Sequence, residues 1–303
     1  MRTRRILMVA GLVALGITSY GQADYAFKVL ANKGANEYKS KGGAWQPVKT
    51  GISLTVEDEV KVSENAYLGL VSKSGKPLEL KKAQNYKVAD LLSQLGSGTS
   101  VMSKYTDFIL SSNSAEAKKN RLSATGAVHR GEPTALSVYL PPAQNSFVFN
   151  NSMYVVWEAP KAGGPYVVTL LDFYEDVIMK VETPETSIKL DLSDPKLASR
   201  KNFLVQVSSN ADKKVHSEGI AVKRMDPAEQ EKIKKAYAEI AADLKDETAF
   251  DKFILAGFYE QHGLIIDALS SYEEAVKMAP DVESFVEARN EFLYRNKLAV
   301  QKQ

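Results

Sequence analysis

Residues 249–282 read AFDKFILAGFYEQHGLIIDALSSYEEAVKMAPDV, and this stretch decides the architecture of the C-terminal part of the chain. Its spacing predicts two antiparallel helices joined by a tight turn. Ala256, Ala268 and Ala275 are small enough to let the helices approach closely, and Tyr259 and Tyr272 fill the space between them. Gly263 permits the turn, while Pro280 stops the second helix because it has no amide to continue the ladder. Upstream, Asp226-Pro227 opens another helix, with proline suited to the first helical position. Ile233, Tyr237, Ile240 and Leu244 give that helix one apolar stripe over about 227–245, and Thr248 is placed to cap the next. Phe285, Ala288, Phe292 and Leu298 mark a further helix over about 282–299.

The series Leu255, Ala256, Tyr259, Gly263, Ala268, Tyr272, Ala275, Pro280 resembles the tetratricopeptide repeat. Lys252 stands at that pattern's tryptophan position, with Phe253 beside it. The resemblance implies a helical-hairpin module over 226–303 whose first helix, Ala249 to His262, lines a concave face. With Leu255, Ala256 and Tyr259 used in packing, Phe253, Gly257, Glu260 and Gln261 are left as partner-binding candidates. Gly257 weakens a helix by about 1 kcal/mol relative to alanine, which makes sense if something must approach the backbone there. The competing reading is that the flanking helices cover this face.

Working back towards the N-terminus, residues 134–225 show short apolar runs separated by turn residues. The runs are Leu136–Leu140, Phe147–Phe149, Met153–Glu158, Tyr166–Phe173, Val177–Val181, Ser187–Leu192, Phe203–Val207 and Gly219–Val222. This is the pattern of a β-sandwich, with Trp157 as a core anchor. The region resembles an immunoglobulin or fibronectin type III domain without the disulfide. Residues 111–133 are rich in Ser, Ala, Asn and Lys and read as a linker.

Residues 24–110 open with alternating strands. Ile52, Leu54 and Val56 share one face, as do Ala66, Leu68 and Leu70, with turn clusters such as Lys41-Gly42-Gly43 and Ser74-Gly75-Lys76-Pro77 between runs. Two short helices follow, Val88 to Leu95 and Thr99 to Ile109. The segments Lys49-Thr50-Gly51-Ile52, Asp58-Glu59-Val60-Lys61-Val62, Ala66-Tyr67-Leu68 and Ser74 to Leu80 resemble the periplasmic domain of FecR-type proteins. That resemblance implies a compact all-β unit that receives a signal across the envelope.

Residues 1–23 read as a signal peptide. Three arginines precede a run from Ile6 to Ile17, shorter than the roughly twenty residues a spanning helix needs. Cleavage is expected before Gln22 or Asp24. Removal leaves 36 basic against 37 acidic side chains, so the formal charge falls from +2 to about −1, and no basic footprint for nucleic acid remains. The absence of cysteine excludes disulfides, cysteine-ligated zinc and lipoprotein attachment. The mature chain is expected to have no transmembrane helix.

No catalytic motif emerges. His129, His216 and His262 are far apart in sequence. Gly75-Lys76 lacks the glycine and hydroxyl of a phosphate loop, because position 70 is Leu and Pro77 follows the lysine. Ser193 to Lys196 has a nucleophile-like spacing interrupted by Pro195. Glu57-Asp58-Glu59 reads as a solvated turn. The first β region holds 11 Lys against 7 acidic residues between Lys28 and Asp90, a surplus that reads first as a solvated surface and second as a match for anionic polymers.

These features predict a multidomain β + α protein. An all-β FecR-like domain precedes an immunoglobulin-like sandwich and a helical repeat module. The expected function is non-enzymatic binding or scaffolding in the bacterial cell envelope, in the periplasm or at the surface, without cofactor or metal. The expected partner is an envelope protein. Trans-envelope signalling and envelope-glycan binding are the alternatives.

Overall fold

The computed structural model describes residues 25–98, 100–124, 136–244 and 247–299. The segment expected to be a signal peptide, His129 and the second half of the expected linker lie outside them. The chain is a multi-sheet β protein with helices concentrated at its C-terminal end.

The first β region forms two four-stranded sheets. β1 (Phe27–Lys33), β2 (Glu37–Lys39), β3 (Gln46–Pro47), β4 (Ser53–Leu54), β5 (Glu59–Val62), β6 (Tyr67–Ser72), β7 (Pro77–Leu80) and β8 (Gln84–Lys87) assemble as β4-β1-β6-β7 and β3-β2-β5-β8. Phe27, Val29, Leu54, Val60, Leu68 and Leu70 pack between them. Val56, expected on the same face as Ile52 and Leu54, is half exposed because β4 ends at Leu54. β6 is buried at all six positions. Leu68 and Leu70 face the core of this region, while Tyr67 and Val71 face a second core made with the helices. A strand covered on both faces carries apolar residues continuously rather than alternately.

Helices α1 (Val88–Gln94), α2 (Ser103–Ser112) and α3 (Ala115–Ala124) follow. The third occupies the first half of the stretch that reads as a linker. Its low content of large apolar residues hides it from a periodicity test.

The region expected to form a sandwich contains β9 (Phe147–Val148), β10 (Ser152–Val156), β11 (Tyr166–Leu171), β12 (Val177–Thr183), β13 (Ser187–Asp191), the short α4 (Pro195–Ala198), β14 (Asn202–Ser209) and β15 (Ile220–Arg224). The sheets are five-stranded, β12-β11-β14-β15-β9, and two-stranded, β10-β13. The run at 136–140 contributes only a bridge, Val138 to Trp157, in place of a full strand. Trp157 is buried and meets Tyr166 edge to face at 5.3 Å.

The C-terminal helices are α5 (Pro227–Ala241), α6 (Ala249–Gln261), α7 (Ile265–Met278) and α8 (Glu283–Arg295). Thr248 caps α6 by accepting from the Asp251 amide at 3.0 Å, whereas Asp226 precedes Pro227 without a side-chain cap on α5. α6 is buried on every face, with Phe250, Phe253, Ile254, Leu255, Ala256, Phe258 and Tyr259 all inside. Such a helix must lie within a core. Its neighbours come from the whole chain. Leu30, Tyr67 and Val71 of the first β region, Tyr105 and Ile109 of α2, and Val156 of β10 share one cluster with the helical residues. Conversely, Ile266 of α7 enters the sandwich core.

Two glycines make the central contacts possible. A Cβ at Gly69 would lie 2.7 Å from the Phe250 ring, and one at Gly257 would lie 2.6 Å from Ile109. An exposed helical Gly→Ala change stabilises by about 1 kcal/mol. Gly257→Ala should instead destabilise by roughly 1–3 kcal/mol through overpacking. Adding Ile109→Val, which removes the nearest methyl, should recover part of the loss. Urea unfolding of wild type and the two variants checks this, and a stabilised Gly257→Ala protein would contradict it.

Candidate functional site: a groove at the junction

The face of α6 expected to be open is filled by the chain itself. Phe253 is only 1% exposed and packs against Phe285 of α8, with ring centroids 4.8 Å apart. Gly257 receives α2. Glu260 accepts a two-pronged pair from Arg295 of α8, at 2.5 Å to each oxygen, and a further bond from the Asn296 amide at 3.0 Å. Of the four candidates only Gln261 is exposed. The rest are covered: α8, one of the two flanking helices expected to do so, closes over Phe253 and Glu260, and α2 closes over Gly257. The signature residues pack as follows. Leu255, Ala256, Tyr259, Ala268, Tyr272 and Ala275 are buried, Gly263 takes a left-handed φ of 73°, and Pro280 is exposed after α7.

Glu260, Arg295 and Asp267 are held by hydrogen bonds inside the core. The Arg295 guanidinium also reaches Asn113 at the end of α2 at 3.2 Å. Burial works against its charge, but Glu260 more than offsets this and holds Arg295 above its ordinary range. Asp267 of α7 is fully buried and accepts from the backbone amides of Phe149 and Asn150, both at 2.9 Å. Ser270, one turn on, accepts from the Tyr154 amide at 2.9 Å. These bonds fasten α7 to the second β region by occupying two amides just after β9 and one in the middle of β10 that would otherwise be orphaned. Burial pushes the Asp267 carboxyl up to about 7, against the opposing effect of its two amide donors.

Docking leaves a groove of about 860 Å³ where the first β region, α2–α3 and α8 meet. Leu30, Ile52, Ile109, Leu110, Phe253 and Ala288 supply its apolar lining. Thr50, Ser111, Asn113, Ser114 and Ser284 add hydroxyls and an amide. Lys28 pairs with Asp107 at 2.6 Å across one wall, and Lys118 meets Glu287 at 3.4 Å near another. Partial burial opposes the Lys28 charge, but Asp107 outweighs it and raises the ammonium above the usual lysine range. Lys49 is exposed at the rim and has no ion pair among the described residues. Sequence reasoning missed this site because its walls lie more than 230 residues apart. The surrounding signal was Gly257, whose missing side chain marks the approach of α2.

His216 bridges to Ser208 in the sandwich, and His262 ends α6 beside Tyr105. They are not brought together. Among the described residues no group of three or more His, Cys, Asp or Glu is placed to hold a metal ion, and no helix is long and apolar enough to cross a membrane. No protein-family model matches the sequence, and no curated protein matches it.

Glu260→Ala strands the Arg295 charge in the core and should cost about 3–5 kcal/mol, whereas Gln261→Ala should change stability by less than about 0.5 kcal/mol. Chemical denaturation of both variants checks the contrast. Equal, small effects would show that Arg295 finds water instead.

Asp267 gives a pH signature. Its folded value of about 7 lies above the ordinary 3.8, so the folded chain retains a proton that the unfolded chain releases. This contribution is complete below the unfolded value and is lost as pH rises through about 7. The difference in unfolding free energy between wild type and Asp267→Asn should therefore shrink steadily from pH 4 to 8. A difference independent of pH would contradict the assignment.

Proposed function

We propose that this chain is an exported, non-catalytic binding or scaffold protein of the bacterial cell envelope, and that it holds a segment of a partner protein in the junction groove. The reading includes a FecR-like first region, an immunoglobulin-like sandwich and a tetratricopeptide-like helical module, on the strength of the sequence resemblances. The observation that carries it is the groove itself. An apolar floor takes side chains, hydroxyls and an amide at the rim meet a peptide backbone, and the free Lys49 ammonium supplies one fixed charge.

One observation favours an envelope glycan as a second reading. The Trp45 ring lies near two ammonium groups, Lys39 at 4.9 Å and Lys61 at 5.9 Å. An aromatic ring beside ammonium groups suits a sugar polymer, with Lys39 and Lys61 also paired to Glu59 at 3.2 Å and Glu37 at 3.0 Å. A FecR-like signalling role remains compatible with either ligand.

Crosslinking with mass spectrometry in the native envelope separates the readings. Lys49→Glu with Leu110→Asp should remove crosslinked partner peptides and leave the melting temperature within a few degrees of wild type. Trp45→Ala should leave those crosslinks intact. The same envelope material should begin at Gln22 or Asp24. Partners that persist in the groove variant, or protein that begins at Met1, would overturn the proposal. Loss of polysaccharide retention on Trp45→Ala would move the assignment to the glycan.

A further inference from the structure

β12 lies at the edge of the five-stranded sheet and pairs with β11 alone among the described residues. An edge strand offers a row of backbone donors and acceptors that another strand can take up. This one is seven residues long and carries Val177, Ile178, Met179 and Val181. Its apolar character continues into the β11–β12 turn, where Phe173 is 55% and Tyr174 89% exposed. The turn is fixed, because the Asp172 carboxylate accepts from the amides of Tyr174 and Asp176 at 2.9 and 3.0 Å.

Two charges interrupt the strand. Lys180 and Glu182 are both exposed, and neither has an ion pair among the described residues. They stand opposite Thr169 and Val167 of β11, so they share one face of the sheet. They also flank Val181 symmetrically. A second β12 laid antiparallel about a twofold axis through Val181 sets each Lys180 opposite the other copy's Glu182. Met179 then faces Thr183, and Val181 faces itself. An axis through Lys180 instead opposes lysine to lysine, and one through Glu182 opposes glutamate to glutamate. Like charges directly opposite destabilise a pair of strands. The positive–apolar–negative order is thus self-complementary under twofold symmetry, which is what an isologous interface requires.

We propose that β12 is a self-association edge. Two copies of the chain pair their β12 strands antiparallel, in the register centred on Val181, and merge their five-stranded sheets into one. Lys180 does not simply guard the edge. It disfavours the register centred on itself and selects the one in which Glu182 receives it.

Sedimentation velocity of the full chain over a wide concentration range tests the proposal. A monomer–dimer equilibrium that weakens with salt is expected. Lys180→Glu and Glu182→Lys should each raise the dimer dissociation constant by about tenfold, since each places two like-charge contacts at the interface. The double exchange, Lys180→Glu with Glu182→Lys, should restore the wild-type constant. Both positions are exposed, and circular dichroism confirms that each variant is folded. A monomer at every concentration overturns the proposal. So does a dimer indifferent to the single changes, or one that the double exchange fails to restore.

Discussion

The structure depends on the burial of one helix. α6 has apolar side chains on every face, and its flanks are closed by α2, α7, α8 and the outer face of β6. Such a helix cannot be stable at a surface, so it draws segments distant in sequence around itself. Gly69 and Gly257 show how tight the enclosure is, since an added methyl at either would meet a neighbour below 3 Å. Once α6 is enclosed, the rest follows. β6 must be apolar on both faces, α7 must meet the sandwich, and α8 must lie along β1.

Enclosure brings polar groups inside, and several of them receive partners that also join two regions. Glu260 with Arg295 ties α6 to α8 and, through Asn113, to α2. Asp267 ties α7 to the segment after β9, and Ser270 ties it to the middle of β10. Ion pairs of this kind add little net stability over apolar packing, but breaking one is costly, so they fix a single arrangement. The junction groove exists only because that arrangement is fixed. Its walls come from three regions that have no covalent reason to be adjacent.

Much of the local structure was legible in the sequence. Short apolar runs bounded by turn residues located most strands of residues 136–225, and the alanine, tyrosine, glycine and proline spacing of 249–282 located the α6–α7 hairpin. Trp157 was identified as a core residue from its place in an apolar run. What could not be read was which surfaces face one another. Phe253 and Glu260 look like contact residues because a large apolar or charged side chain on a helix face signals a partner. The partner proved to be the same chain. Periodicity reports that a face is apolar but not what covers it. α3 escaped for a related reason, since its alanines, lysines and asparagine give no apolar stripe.

The central claim is that the two β regions and the helices form one cooperative body around α6. Native-state hydrogen exchange, followed by mass spectrometry at increasing denaturant, tests it most directly. The account predicts that amides in α6, β6 and β10 exchange through the same opening, with the free energy of global unfolding. If α6 and α7 instead exchange through a lower-energy opening while β6 and β10 remain protected, the helices form a separable module and the account is wrong.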